Sequence, residues 1–119
     1  MMQKNSQEIL DALQESCPSF GGAVIATPDG LVLVATRLFS GDTPAACAAG
    51  VVAQVDDCLS ALKAGRVDAL MMWTPGGLWF IGRLVNDHVL LLSATDSHCA
   101  GAVRLAAQVA VQKLNAVLH

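Results

Sequence analysis

Apolar residues along the chain follow two rhythms, and their alternation predicts the elements. Residues 5–16 carry Ile9, Leu10 and Leu13 as a narrow stripe at helical spacing. Asn5 followed by Glu8 is close to a capping box, and Cys17-Pro18 ends this helix because a residue before proline avoids helical geometry. Residues 21–39, GGAVIATPDGLVLVATRLF, read as a hairpin turning at Pro28-Asp29-Gly30. Its arms are apolar at nearly every position, the pattern of strands covered on both faces. Ser40-Gly41-Asp42 breaks the run, Asp42 or Thr43 caps a long helix with Pro44 in its first turn, and Gly65 ends it. Three strands follow at 67–74, 78–85 and 88–95, separated by Pro75-Gly76-Gly77 and Asn86-Asp87. Asp96 or Ser97 then caps a helix running to about Leu118, with Val103, Ala106, Ala107, Ala110, Leu114 and Val117 on its core side.

The predicted order is α-β-β-α-β-β-β-α, an α+β sandwich within one domain, 1–119. Five strands form one antiparallel sheet, with the central helix on one face and the terminal helices on the other.

The central helix is apolar or small almost all round. Projected at about 100° per residue, Cys47, Val51, Val52, Val55, Cys58, Leu59 and Leu62 cluster on one side, which is expected to lie on the sheet. The other side carries Ala46, Ala49, Gly50, Ala53, Ser60, Ala61 and Ala64, with Asp56 and Asp57 among them. A seam of small residues admits a second helix, whereas exposed alanine alone needs no partner. Gly50 tips the balance, since glycine inside a helix costs about 1 kcal/mol relative to alanine and a close approach accounts for it. The strand beginning VDALMMW reads as a sheet edge with nothing to blunt pairing to another chain. A two-fold homodimer is therefore expected, with an interface of Ala46, Ala49, Gly50, Ala53, Asp68, Leu70, Met71, Met72 and Trp73.

Composition agrees. The chain is 54% hydrophobic and 14% charged, well under the roughly 25% charged residues usual in globular proteins. Its apolar runs are too short to span a membrane, and the N-terminal stretch has no signal-peptide pattern. The net charge of −3 is scattered, so neither a nucleic-acid partner nor membrane insertion is expected. Cysteines at 17, 47, 58 and 99 show no CxxC spacing and are expected to be reduced thiols in a cytoplasmic protein.

Three stretches, VIATPDGLVLVAT, AACAAGVVAQVDDCL and HVLLLSATDSHCAGAVRLAAQVAV, together resemble the Roadblock (dynein light chain) family within the Roadblock/longin group. The matching features are the Asp29-Gly30 turn, the Ala-rich helix over 45–53, and a leucine-rich strand running into a helix with Gly101 and Arg104. The resemblance implies the Roadblock/longin-like fold and a dimer with a sheet continuous across the interface. It also implies a non-catalytic platform that binds a small Ras-like GTPase or a larger signalling or motor assembly. The Met71-Met72-Trp73 run, the TPGGLW turn and the weakly charged middle helix depart from a more polar family pattern.

Candidate chemistry is sparse. No GxxxxGK[ST] motif occurs, so the chain is not itself a P-loop GTPase. Gly41-Asp42-Thr43 at a helix start can bind an anion, as any helix start can. His98-Cys99 with His88 reads as a surface cap beside a buried thiol; adjacent residues on a helix diverge, so a zinc site or Cys-His pair is disfavoured. Arg37, Arg83 and Arg104 can each reach a partner or form a structural ion pair, and Trp73 and Trp79 can be interface anchors or core. The expected partner-facing residues are Asp56, Asp57, Ser60 and Lys63, with no catalytic residue, metal or cofactor. A structural adaptor without a GTPase, or a small-molecule sensor, are the alternative classes.

Overall fold

Parity along the strands decides which of two cores each residue joins. In the computed structural model, which describes residues 2–39 and 41–118, β1 (Phe20–Ala26), β2 (Val32–Ala35), β3 (Ala69–Thr74), β4 (Gly77–Arg83) and β5 (Val89–Ala94) form one antiparallel sheet ordered β2-β1-β5-β4-β3. Ala23, Ile25, Leu78, Phe80, Leu90 and Leu92 point to one face; Val24, Ala26, Ile81, Val89 and Leu91 point to the other. The first face is covered by α1 (Met2–Ser16) and α3 (Ala100–Leu118), the second by α2 (Thr43–Ala61). The expected element order, single sheet and two-sided cover are all present.

The boundaries moved where tertiary contacts outweighed local signals. Helix α1 starts at Met2, so Asn5 and Glu8 lie inside it as exposed residues rather than at a cap. The Nε2 amides of Gln3 and Gln7 donate to the Leu33 and Ala35 carbonyls of β2, at 3.4 and 3.1 Å, and tie the extra turn down. Strand β2 stops at Ala35 and curls into a 3-10 turn over Arg37–Phe39. It is an edge strand with half-exposed residues, not a strand buried on both faces as its composition suggested. Ser40, part of the expected break, lies outside the described residues. Asp42 sits at the N-cap of α2 but makes no side-chain cap bond, and the helix reverses at Lys63, φ +58°, before reaching Gly65. Asp96, not Ser97, caps the last helical segment by accepting from the His98 amide at 2.8 Å. Val103, Ala107, Ala110 and Leu114 of α3 are buried as expected, with Ala106 and Val117 half-buried beside them.

Candidate functional site: the α2 helix and the β3 edge

The side of α2 on the sheet is not the bulky one. Ala45, Ala48 and Val52 are its buried residues, whereas Cys47, Cys58 and Leu62 are exposed, Leu62 by 74%. The expected sheet-facing cluster is thus rotated by about 60° toward smaller side chains. The sheet supplies the bulk itself: Ile81, Leu91 and Val24 fill this core, and Trp79 stacks on Phe39 with ring centroids 5.9 Å apart. Small helix residues let the helix sit close over them.

The small residues also have an intrachain reason. Gly30 turns the β1–β2 hairpin at φ +84°, and a Cβ added there would stand 3.3 Å from the Ala46 Cα and 3.7 Å from the Ala49 Cβ. Ala46 and Ala49 therefore accept the hairpin turn, on the flank of α2 away from β3. A methyl group added at Gly50 would meet only open space, and Gly50 lies with Ala53, Asp57 and Ser60 on the exposed outer face. The structure does not bring Ala46, Ala49, Gly50 and Ala53 together with β3; helix seam and strand edge lie on different sides of α2.

What adjoins β3 is the apolar flank of α2. An open groove of about 280 Å³ runs between Pro44, Cys47 and Val51 on the helix and Met72, Trp79 and Ile81 on the sheet. One helical turn on, Val55 meets Leu70 in a smaller cleft. Among the described residues β3 is the free edge of the sheet, paired through Ala69–Thr74 with β4 alone. Leu70, Met71 and Met72 are half-buried, and Asp68 and Trp73 are exposed, Trp73 by 61%. The two tryptophans thus divide: Trp79 packs against the core and Trp73 stands in solvent.

An ion-pair cluster fixes the approach to β3. Arg83 on β4 donates from Nη2 to Asp56 Oδ2 at 2.6 Å, from Nη1 to Asp87 Oδ1 at 3.1 Å, and from Nε to the Val67 carbonyl at 2.9 Å. Asp56 Oδ1 accepts from the Val67 amide at 2.9 Å, and Arg66 Nη2 donates to Asp87 Oδ1 at 2.7 Å. The Val67 amide and then the Arg83 guanidinium hold the Asp56 carboxyl below its ordinary range; the Arg66 guanidinium does the same for Asp87. Asp56 is therefore engaged within the chain, joining α2 to the start of β3, while Asp57 and Ser60 on α2 and Lys63 just beyond it are exposed. The sequence signal for this pair was Asp56, one of two adjacent carboxylates in a valine-rich helix, and Arg83, the one charge in LWFIGRLV. Arg37 and Arg104 are exposed.

Elsewhere, His98 Nδ1 lies 2.9 Å from Asp96 Oδ1 on the surface, and Cys99 is half-buried. Among the described residues no group of three or more His, Cys, Asp or Glu is placed to hold a metal ion, and no helix is long and apolar enough to cross a membrane. A second open groove, about 590 Å³, lies between α1 and α3, with Ile9 and Ala12 on one wall and Leu105 and Val109 on the other.

Solved structures match this arrangement over almost the whole chain. A Roadblock/LC7 domain from Streptomyces avermitilis superposes with a TM-score of 0.85 at 21% identity, covering 94% of this chain and 96% of that one. This chain has the Roadblock/LC7 fold. Myxococcus xanthus MglB matches with a TM-score of 0.88 at 13% identity, over 98% of this chain and 89% of its own. MglB with a tetrameric arrangement matches with a TM-score of 0.85 at 16% identity, over 98% and 89% of the two chains. At these identities the likeness is one of fold. No family model and no curated protein sequence matches the chain.

Proposed function

We propose that the chain forms a homodimer through β3 and the adjoining flank of α2, and that the dimer is a non-catalytic regulator or platform for a small Ras-like GTPase. The observation that carries this reading is the bare β3 edge lying beside an uncovered apolar helix flank. Pairing β3 with its copy satisfies the edge's backbone groups, and burying Trp73 and Leu62 contributes roughly 1.5–3 kcal/mol each. The Roadblock/LC7 fold supports the functional class through the family the sequence resembles, and a tetrameric arrangement of MglB is in keeping with assembly.

The interface assigned here is Leu70, Met71, Met72 and Trp73 of β3 with Cys47, Val51 and Cys58 of α2 and Leu62 at its C-cap, and Asp68 at the strand's entry. Ala46, Gly50, Ala53, Asp57, Ser60 and Lys63 then remain on the outer surface of the dimer for the GTPase. The small residues allow a partner's backbone to come close, and the three polar ones supply hydrogen bonds and charge.

Two variants separate the surfaces. Trp73→Glu should give a monomer in size-exclusion light scattering, and Gly50→Leu should leave a dimer that no longer binds. Binding and GTP turnover are measured against Ras-like GTPases encoded in the same genome. Gly50→Leu chains that bind as well as the parent would remove the outer face from the reading. A parent chain that is monomeric at high concentration would remove the dimer.

A further inference from the structure

The open groove between α1 and α3 lies on the face of the sheet opposite α2, away from the surfaces assigned above. The two helices run antiparallel: the end of α1 meets the start of α3, where the Ser19 carbonyl accepts from the Thr95 amide at 2.8 Å. The walls, Asn5 to Ser16 and Ala102 to Lys113, each extend eleven positions, about three turns or 16 Å.

The floor is apolar and the two rims differ. Leu13 and Ala110, both buried, make the floor. The α3 rim carries Leu105 and Val109, exposed by 63% and 42%. The α1 rim is acidic. Glu8 lines the groove, and Glu15, seven positions on with about 20° of residual rotation, stands in line with it. Both are exposed, and so is Asp11 behind them. The basic residues Lys4 and Lys113 lie at the Asn5 end.

This combination selects the occupant. Helical walls have their backbone groups already bonded, so an extended segment laid between them finds no partners for its own. A helix brings its backbone bonds with it, and apolar residues at i, i+4 and i+7 cover a trough three turns long. The α1 rim asks for basic residues along one flank of that helix. An anionic membrane surface meets the wrong charge there. A second copy of this chain meets it poorly: α1 offers Lys4, α2 has no Lys or Arg, and Arg104 and Lys113 of α3 are nine positions apart, turned to opposite sides.

We propose that the α1–α3 groove docks an amphipathic helix of another protein. Its apolar stripe lies on Leu13, Ala110, Leu105 and Val109, and a row of Lys or Arg runs along its flank beside Glu8 and Glu15. The site is independent of the β3 pairing and of the outer face assigned to a GTPase.

The probes are two alanine-rich helical peptides of about 15 residues with the same leucine stripe, one with lysine and one with glutamate along the flank. Each is titrated into the full chain, and binding is read from the methyl NMR signals of Ile9, Leu105 and Val109. The lysine peptide should bind about tenfold more tightly than the glutamate peptide at low salt, and the difference should shrink at high salt. Glu8→Lys with Glu15→Lys should reverse the preference, and Leu105→Gln with Val109→Gln should weaken both peptides. All four positions are exposed, so the melting temperatures should stay near the parent's. Methyl signals that move with neither peptide at about 1 mM would overturn the docking. Equal binding of the two peptides would overturn the basic partner. Sedimentation of the parent, but not of the Leu105/Val109 variant, with phosphatidylglycerol vesicles would give the groove to a membrane instead. A smaller particle in light scattering for that variant than for the parent would give it to a second copy.

Discussion

Gly77 opens β4 at φ +133°, and a Cβ placed there would run into the Ala94 carbonyl oxygen of the neighbouring strand. Side chains rarely adopt that backbone conformation, and here there is no room for one. Gly77→Ala should therefore lower stability by about 2–3 kcal/mol, read as a fall in the urea midpoint with an unchanged slope. The sequence marked Gly77 as part of a turn between strands, which it is, but the clash with Ala94 depends on β5 lying alongside and has no local signature. The opposite happened at Gly50. Its helical cost was visible in the sequence, and the close approach inferred from it is absent within the chain. The intrachain approach lies instead at Ala46 and Ala49, because Gly30 comes in from a hairpin sixteen or more residues upstream.

At the scale of elements, α2, β3 and β4 are coupled through Asp56, Arg66, Arg83 and Asp87. Asp56, Asp87 and Asp96 are all held below the ordinary carboxylate range in the folded chain, Asp96 chiefly by the His98 amide. A carboxyl depressed on folding contributes stability above its unfolded value, near pH 4, and loses it as pH falls through the folded value. Urea midpoints should hence drop as the pH is taken from about 5 to about 3, and Asp56→Asn should be less stable than the parent at pH 7 yet show a smaller drop. An equal drop in both chains would mean that Asp56 does not carry the acid sensitivity. Element types and order were legible because strand runs such as HVLLLSAT and the spacing of Val103, Ala107, Ala110 and Leu114 repeat over several residues. The start of α1 was not legible, since Gln3 and Gln7 act through side-chain bonds to Leu33 and Ala35, about thirty positions away, and leave no rhythm. The orientation of α2 was misjudged for a related reason. Bulk on one side of a helix indicates the sheet only when the sheet leaves room for bulk, and Trp79 stacked on Phe39 takes up part of that room.

For the whole molecule, the proposed pairing through β3 would tie folding to association. If two chains fold and pair together, the melting temperature rises with protein concentration by mass action. Calorimetry over a hundredfold range of concentration should show that rise for the parent and none for Trp73→Glu. The bare edge itself was legible in Met71-Met72-Trp73, because nothing in that run interrupts pairing. Which flank of α2 accompanies it was not, since the answer depends on where the helix lies across the sheet. The opposite border behaves differently. There the amides of Gln3 and Gln7 occupy carbonyls of β2, so a strand arriving from outside finds them taken. If two molecules join through β3 as proposed, each then offers only the β2 border, where two edge carbonyls are already taken, and lateral growth toward a fibril is opposed.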